Sequence, residues 1–127
     1  MIQPFEYYEK SNLVEKTALN VSFAKSLIEK AEVRLKRVLK EKITEAEAPL
    51  IFEDIYECIR EASRSLMQLA KYKPLSHEAI IAFLIKNKYL PEEKINILNN
   101  YRILRNKSVY QAEKISIDKC NEAIKFA

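Results

Sequence analysis

The sequence predicts an all-α fold, an up-and-down bundle of four to five helices, and two observations support this prediction. The chain contains no glycine, the residue that supplies the positive φ angles of tight hairpins and phosphate-cradling loops. Apolar residues also recur three and four positions apart over most of the 127 residues, which is the spacing of one helix face. We therefore expect a single helical domain spanning residues 1–127, with Asn and Lys ending helices in place of glycine.

Composition and charge narrow the class of protein. Hydrophobic residues make up 48% and charged residues 31% of the chain, as in globular domains. The net charge of +4 is compatible with a nucleic-acid or phosphate partner without requiring one. No apolar run approaches the ~18 residues of a membrane span, and no secretory signal begins the chain. We expect a cytoplasmic protein that does not contact a membrane, with Cys58 and Cys120 reduced.

The first helix is expected to be long. Pro4 disfavours a helix at the start, so residues 1–10 are expected to form an arm that lies against the body. Ser11 or Asn12 would cap a helix over residues 13–43. Its apolar residues follow a seven-residue repeat with small residues at the intermediate seam positions, namely Val14, Val21, Ile28 and Leu35 with Ala24, Ala31 and Val38. Such a seam predicts close packing against a neighbouring helix.

The second helix is expected over residues 48–72, with Pro49 in its first turn and Lys73 with Pro74 ending it. The short connection between the two long helices predicts that they pack antiparallel. The polar residues expected on the outer face of the second helix are Glu53, Glu57, Arg60, Glu61, Arg64 and Gln68.

Three shorter elements complete the predicted bundle. Ser76 is expected to cap an apolar helix that is buried or lies at a subunit contact, and Pro91 opens the next helix. After a polar link, Ser116 would cap a last helix with an inward face of Ile117, Cys120 and Ile124. Because this much apolar helix surface exceeds what one small bundle covers, we expect a homodimer.

The helix that follows Pro91 carries a polar strip near its end. Arg102, Asn106 and Tyr110 recur at a spacing of four, and Arg105 lies beside them. Guanidinium groups bind phosphate bidentately, so these four residues are candidate ligands for an anionic partner. The alternative interpretation is a solvated helix end, where cations favour the negative end of the helix dipole.

Other chemistry is sparse in the sequence. His77 is the only histidine, and we interpret it as a polar residue in the first turn of a helix. No cluster of His, Cys and Asp predicts a metal site, and no glycine-rich motif predicts a nucleotide cofactor. We therefore expect neither a metal nor a cofactor.

The order of elements and the run Leu104, Arg105, Asn106, Lys107 resemble the HEPN superfamily (higher eukaryotes and prokaryotes nucleotide-binding domains) over most of the chain. Members are small helical bundles that commonly dimerise, with a motif of Arg, four to six residues, and His. Arg102 or Arg105 matches the motif arginine, and Asn106 matches its usual companion. Val109 or Tyr110 stands where the histidine is expected.

The resemblance implies a function as well as a fold. Active members are metal-independent endoribonucleases, in which Arg and His from two subunits face a shared cleft. Because valine cannot carry a proton and tyrosine has a pKa of ~10, we expect a dimer that binds RNA or a nucleotide phosphate there without the standard ribonuclease activity.

Two alternatives remain open. The first is an endoribonuclease toxin paired with a minimal nucleotidyltransferase antitoxin, with Arg105 and either Tyr110 or His77 in the catalytic roles. The second is a purely structural protein-interaction module. That module would be favoured if Arg102 and Arg105 were both held in ion pairs within the chain.

Overall fold

The computed structural model describes residues 2–127, and 69% of the chain is helical, which confirms the all-α bundle. Six helices and one two-stranded sheet are present in this part of the chain. In chain order the elements are α1 (Phe5–Lys10), β1 (Val14–Lys16), α2 (Val21–Leu39), α3 (Ala48–Leu69), β2 (Tyr72–Pro74), α4 (His77–Lys86), α5 (Glu92–Gln111) and α6 (Ile117–Phe126). No helix among residues 2–127 combines the length and the apolar character needed to cross a membrane.

The N-terminal segment is helical, so the expectation that Pro4 prevents a helix there is wrong. Pro4 occupies the N-cap of α1, where its missing N–H has no intrahelical partner to lose. Phe5 and Tyr8 project from α1 into the core and are almost fully buried. Phe5 packs edge-on against Tyr72 and Phe83, with ring centroids 5.1 and 5.8 Å apart.

The first long helix starts at Val21, eight positions later than predicted. The seven-residue repeat placed Val14 in this helix. Val14 instead lies in β1, which pairs antiparallel with β2 in the register Val14↔Pro74 and Lys16↔Tyr72. Strand pairing is favoured over a helix here because it satisfies the hydrogen-bonding groups of the backbone on both segments and buries Val14. Asn20, rather than Ser11 or Asn12, caps α2 and accepts a hydrogen bond from the Phe23 N–H at 2.9 Å.

Helices α2 and α3 pack antiparallel, as predicted, since the start of α2 contacts the end of α3. Ser65 donates a hydrogen bond to the Ala24 carbonyl at 2.7 Å, and Arg34 reaches both Asp54 and Glu61. The small seam residues Ala24 and Ala31 are buried in this contact.

Two polar residues predicted on the outer face of α3 are buried instead. Glu61 is 3% exposed and lies 2.9 Å from Arg34 Nε and 3.4 Å from Lys30 Nζ. Gln68 donates from Nε2 to the Ala18 carbonyl at 2.9 Å. The prediction was wrong for both residues because α2 and the segment before it cover this side of α3. The sequence pattern of α3 alone does not reveal that cover.

The C-terminal half follows the sequence prediction closely. Ser76 and Ser116 cap α4 and α6 by accepting from the N–H groups of Ala79 and Lys119. Helix α4 is buried over Ala79–Leu84. In α6, Cys120 is buried but Ile117 is exposed, contrary to the prediction, because Ala123 takes the inward position.

Candidate functional site

The two arginines of α5 turn toward the body of the protein. The side chains of Arg102 and Arg105 are only 13% and 18% exposed. One terminal nitrogen of Arg102 lies 3.6 Å from Glu78 in α4, and one of Arg105 lies 3.7 Å from Glu57 in α3. The predicted polar strip is therefore part of a cluster that joins three helices.

A third guanidinium enters the same cluster from α3. Arg60 Nε donates to the Glu57 carboxylate at 3.0 and 3.3 Å, so Glu57 is shared between Arg60 and Arg105. Glu78 is shared in the same way, between Arg102 and the Tyr8 hydroxyl, which donates to it at 3.2 Å. We call Arg60, Arg102 and Arg105, with the side chains that contact them, the arginine cluster.

Not every guanidinium N–H donor of the cluster has an acceptor among residues 2–127. Arg102 Nε donates to Asn99 at 3.0 Å, and Arg105 donates from a terminal nitrogen to Asn106 at 3.2 Å. Arg105 Nε is buried and has no hydrogen-bond partner among the described residues. A buried donor without an acceptor is unfavourable by about 1–3 kcal/mol, so an added acceptor here would be stabilising.

His77 also lies beside the arginine cluster, a position that the sequence did not predict. Its Nδ1 is 3.1 Å from the Tyr56 hydroxyl, and the two rings are nearly parallel, 10° apart in plane, with centroids separated by 5.7 Å. Burial lowers the pKa of His77, and the positive charges of Arg60, Arg105 and Arg102 lower it further. The imidazole is therefore neutral near pH 7.

Tyr56 completes this group. Burial raises the pKa of Tyr56 to about 12, although the same three arginines act in the opposite direction. Tyr56 is thus protonated at neutral pH and occupies one ring nitrogen of His77. In the tautomer whose Nδ1–H donates to the Tyr56 hydroxyl oxygen, Nε2 is unprotonated and can accept a proton.

Tyr110 lies apart from the cluster. It is 76% exposed, more than two turns beyond Arg102 on α5, close to the end of the helix at Gln111. The structure thus brings together Arg102, Arg105 and Asn106 but not Tyr110. It adds Arg60, which carried no sequence signal, and His77, which only the endoribonuclease alternative had named as a candidate.

The charges of the cluster do not balance. Three guanidiniums face two carboxylates, Glu57 and Glu78, and the neutral His77 adds no charge. Both arginines of α5 are held in ion pairs within the chain, as the interaction-module alternative requires. Their separations of 3.6 and 3.7 Å exceed those of a charge-assisted hydrogen bond, so the carboxylates position the guanidiniums without using all their donors.

Comparison with known proteins adds no relative. No protein-family model, no curated protein and no solved structure matches this chain. Among residues 2–127, no group of three or more His, Cys, Asp and Glu side chains is arranged to hold a metal ion.

Proposed function

We propose that this chain binds the phosphate of RNA or of a nucleotide at the arginine cluster. The observation that carries the proposal is the excess of partly buried guanidinium groups over carboxylates, with Arg105 Nε lacking any acceptor among residues 2–127. Phosphate oxygens match guanidinium geometry and accept two parallel hydrogen bonds from one arginine.

The geometry supports a defined mode of binding. Glu57 and Glu78 hold Arg105 and Arg102 in place before the ligand arrives, which reduces the loss of side-chain entropy on binding. A phosphate between the two guanidiniums would accept from the terminal nitrogens of Arg102 and, after a small shift of the Arg105 side chain exposes it, from the buried Arg105 Nε. The HEPN resemblance adds the proposal that two copies of the chain share the cleft.

The test replaces Arg105 with alanine and measures binding to single-stranded RNA and to ATP. Loss of one charge-assisted contact predicts an affinity lower by about tenfold to a hundredfold. Arg37→Ala is the matched control, because Arg37 is 64% exposed on α2 and pairs only with Asp54 at 3.5 Å. No affinity in the parent protein, or equal affinity in the Arg105 and Arg37 variants, would contradict the proposal.

A second candidate function is metal-independent endoribonuclease, and the position of His77 favours it. His77 would take the role of the missing motif histidine, although it comes from another helix. Its free ring nitrogen would take the proton of the ribose 2′-hydroxyl as that oxygen attacks the adjacent phosphorus. The bond from phosphorus to the 5′-oxygen would break, and that oxygen would take a proton from water, while Arg102 and Arg105 would stabilise the charge that develops on the phosphate.

Cleavage of labelled RNA separates the two functions. If the protein is a ribonuclease, His77→Ala abolishes cleavage and Tyr110→Phe retains it, because Tyr110 lies outside the cluster. Cleavage that survives both substitutions would identify a contaminating nuclease. A toxin role predicts in addition that co-expression of a minimal nucleotidyltransferase partner suppresses the cleavage.

The intramolecular ion pairs of Arg102 and Arg105 favour a third function, a protein-interaction module without a nucleic-acid ligand. This function predicts no binding of RNA or ATP by the parent protein at any salt concentration. Phosphate binding predicts instead that affinity falls as salt rises, with a slope that reports the number of phosphate contacts.

A further inference from the structure

A large apolar groove lies on the other side of the molecule. It has a volume of about 550 Å³ and is bounded by α2, α3, the loop before α5 and the C-terminal end of α6. Its walls are mainly aliphatic and aromatic, with Ile28, Leu35, Ile59, Leu66, Leu90 and Phe126 among the lining residues. A recess of this volume with mainly apolar walls is typical of a binding site.

The groove is separate from the arginine cluster. Leu66 follows Glu57 by about two and a half helical turns, which places it on the opposite side of α3. Glu57 contacts the cluster, whereas Leu66 lines the groove. Any function of the groove is therefore independent of the proposed phosphate site.

One stripe of α2 contributes Ile28 and Leu35 to the groove and stays partly open within residues 2–127. Helix α2 packs mainly against α3, which buries Ala24 and Ala31. The neighbouring stripe remains open, with Val21 60% and Ile28 37% exposed and Leu35 half-buried at the next position of the seven-residue repeat. A seven-residue repeat is the pattern of a helix that packs along a second helix.

We infer that the groove is a homodimer interface in which α2 of a second copy packs antiparallel against α2, with Ile28 at the two-fold axis. In this arrangement Ile28 meets Ile28 of the second copy, and Val21 meets the second copy's Leu35. The stripe is thus self-complementary, as an isologous interface requires.

Charges beside the stripe select the antiparallel direction. Lys25 and Glu32 flank Ile28 on its solvent side, one turn before it and one turn after it. Antiparallel packing places Lys25 opposite Glu32 of the second copy, twice by symmetry, whereas parallel packing puts the two flanks on opposite sides of the interface and forms neither contact. Lys25 is only weakly engaged within its own chain, since its pair with Glu29 is long (3.9 Å) and exposed.

Glu32 has no ion-pair partner within residues 2–127. The antiparallel dimer supplies one. Because the groove and the arginine cluster lie on opposite sides of α3, this dimer leaves each cluster facing outward. It therefore differs from the shared cleft that the HEPN resemblance implies, and the two arrangements are distinguishable by mutation.

Sedimentation equilibrium of the full chain tests the interface. The parent protein is expected at twice the protomer mass of 14.9 kDa. Ile28→Glu and, independently, the more exposed Val21→Glu are expected to give monomers with unchanged helical circular dichroism. Val33→Glu is the matched control, because Val33 is 67% exposed on another side of α2 and should leave the dimer intact.

Charge reversal tests the direction. Glu32→Lys should weaken the dimer about tenfold, since it replaces two attractive contacts by two repulsive ones. Adding Lys25→Glu to that variant should restore the affinity. A parent monomer would overturn the inference, as would a dimer that resists both stripe substitutions or fails the charge rescue. Dissociation by Leu50→Glu instead, at a 63% exposed site on the Glu57 side of α3, would overturn it in favour of a shared cleft.

Discussion

His77 shows how the position of one side chain sets its protonation. Burial against Tyr56, together with the positive charges of Arg60, Arg102 and Arg105, lowers its pKa from the ordinary value of 6.5, while Glu57 acts in the opposite direction. The folded chain therefore binds a proton at His77 less readily than the unfolded chain does. Stability from this source is fully present above the unfolded pKa and is lost as the pH falls toward the folded pKa.

The resulting prediction compares the parent with His77→Gln. Between about pH 7 and pH 5, the parent should lose more free energy of unfolding than the variant, because only the parent has an imidazole at position 77 that the unfolded chain protonates more readily than the folded chain. Urea unfolding at a series of pH values measures the difference. Parallel stability profiles for the two proteins would show that His77 is not held neutral by the fold.

Glu61 is the clearest buried charge in the core. It is 3% exposed and compensated by Arg34 and Lys30. Glu61→Gln would leave Arg34 with Asp54 alone, at 3.1 Å, and should lower the free energy of unfolding by about 2 kcal/mol. Glu29→Gln is the control, since its exposed pair with Lys25 predicts a loss of less than about 1 kcal/mol. Equal effects of both substitutions on urea unfolding would refute the assigned role.

At the scale of elements, the start of α2 decides between two readings of the N-terminal region. The structure places the cap at Asn20, not at Ser11. Asn20→Ala should therefore lower the free energy of unfolding by about 1 kcal/mol, and Ser11→Ala should change it little. Thermal or urea denaturation of both variants measures this. A larger loss from Ser11→Ala would support a helix that begins at residue 13.

Helix ends explain why a chain without glycine folds. Positive φ angles occur at Asn12, Lys71, Lys88 and Ala112, one or two positions after α1, α3, α4 and α5 end. The absence of glycine indicated a helical protein in which Asn and Lys end helices, and Asn12, Lys71 and Lys88 confirm that. Ala112 was not foreseen, since alanine carries no sequence signal for a left-handed conformation.

Helices whose starts are set by nearby residues could be predicted from the sequence. The strands could not, because each forms only by pairing with a distant segment. Ser76, Ser116 and Pro49 mark helix starts through hydrogen bonding and backbone geometry within a few residues. The β1–β2 pairing joins Val14 to Pro74 across α2 and α3. The apolar spacing around Val14 therefore predicted a helix incorrectly, because the strand that pairs with this segment lies far along the chain.

At the scale of the whole molecule, the sequence identified two of the three arginines of the arginine cluster. Arg102, Arg105 and Asn106 were found because they share one helix and a regular spacing. Arg60 and His77 could not be found in this way, since α3 and α4 bring them to the site only when the bundle packs. The shared cleft and the identity of the ligand stay predictions.

The central claim is that the cluster binds phosphate through Arg105. Nuclear magnetic resonance of the arginine Nε–H groups, recorded while inorganic phosphate or a mononucleotide is added, tests it most directly. Phosphate binding at Arg105 predicts a saturable shift of the Arg105 Nε–H signal, with a smaller shift for Arg102 and none for Arg37. An Arg105 signal that stays unchanged at saturating ligand would contradict it, because the buried Arg105 Nε, which has no acceptor among residues 2–127, would still have none.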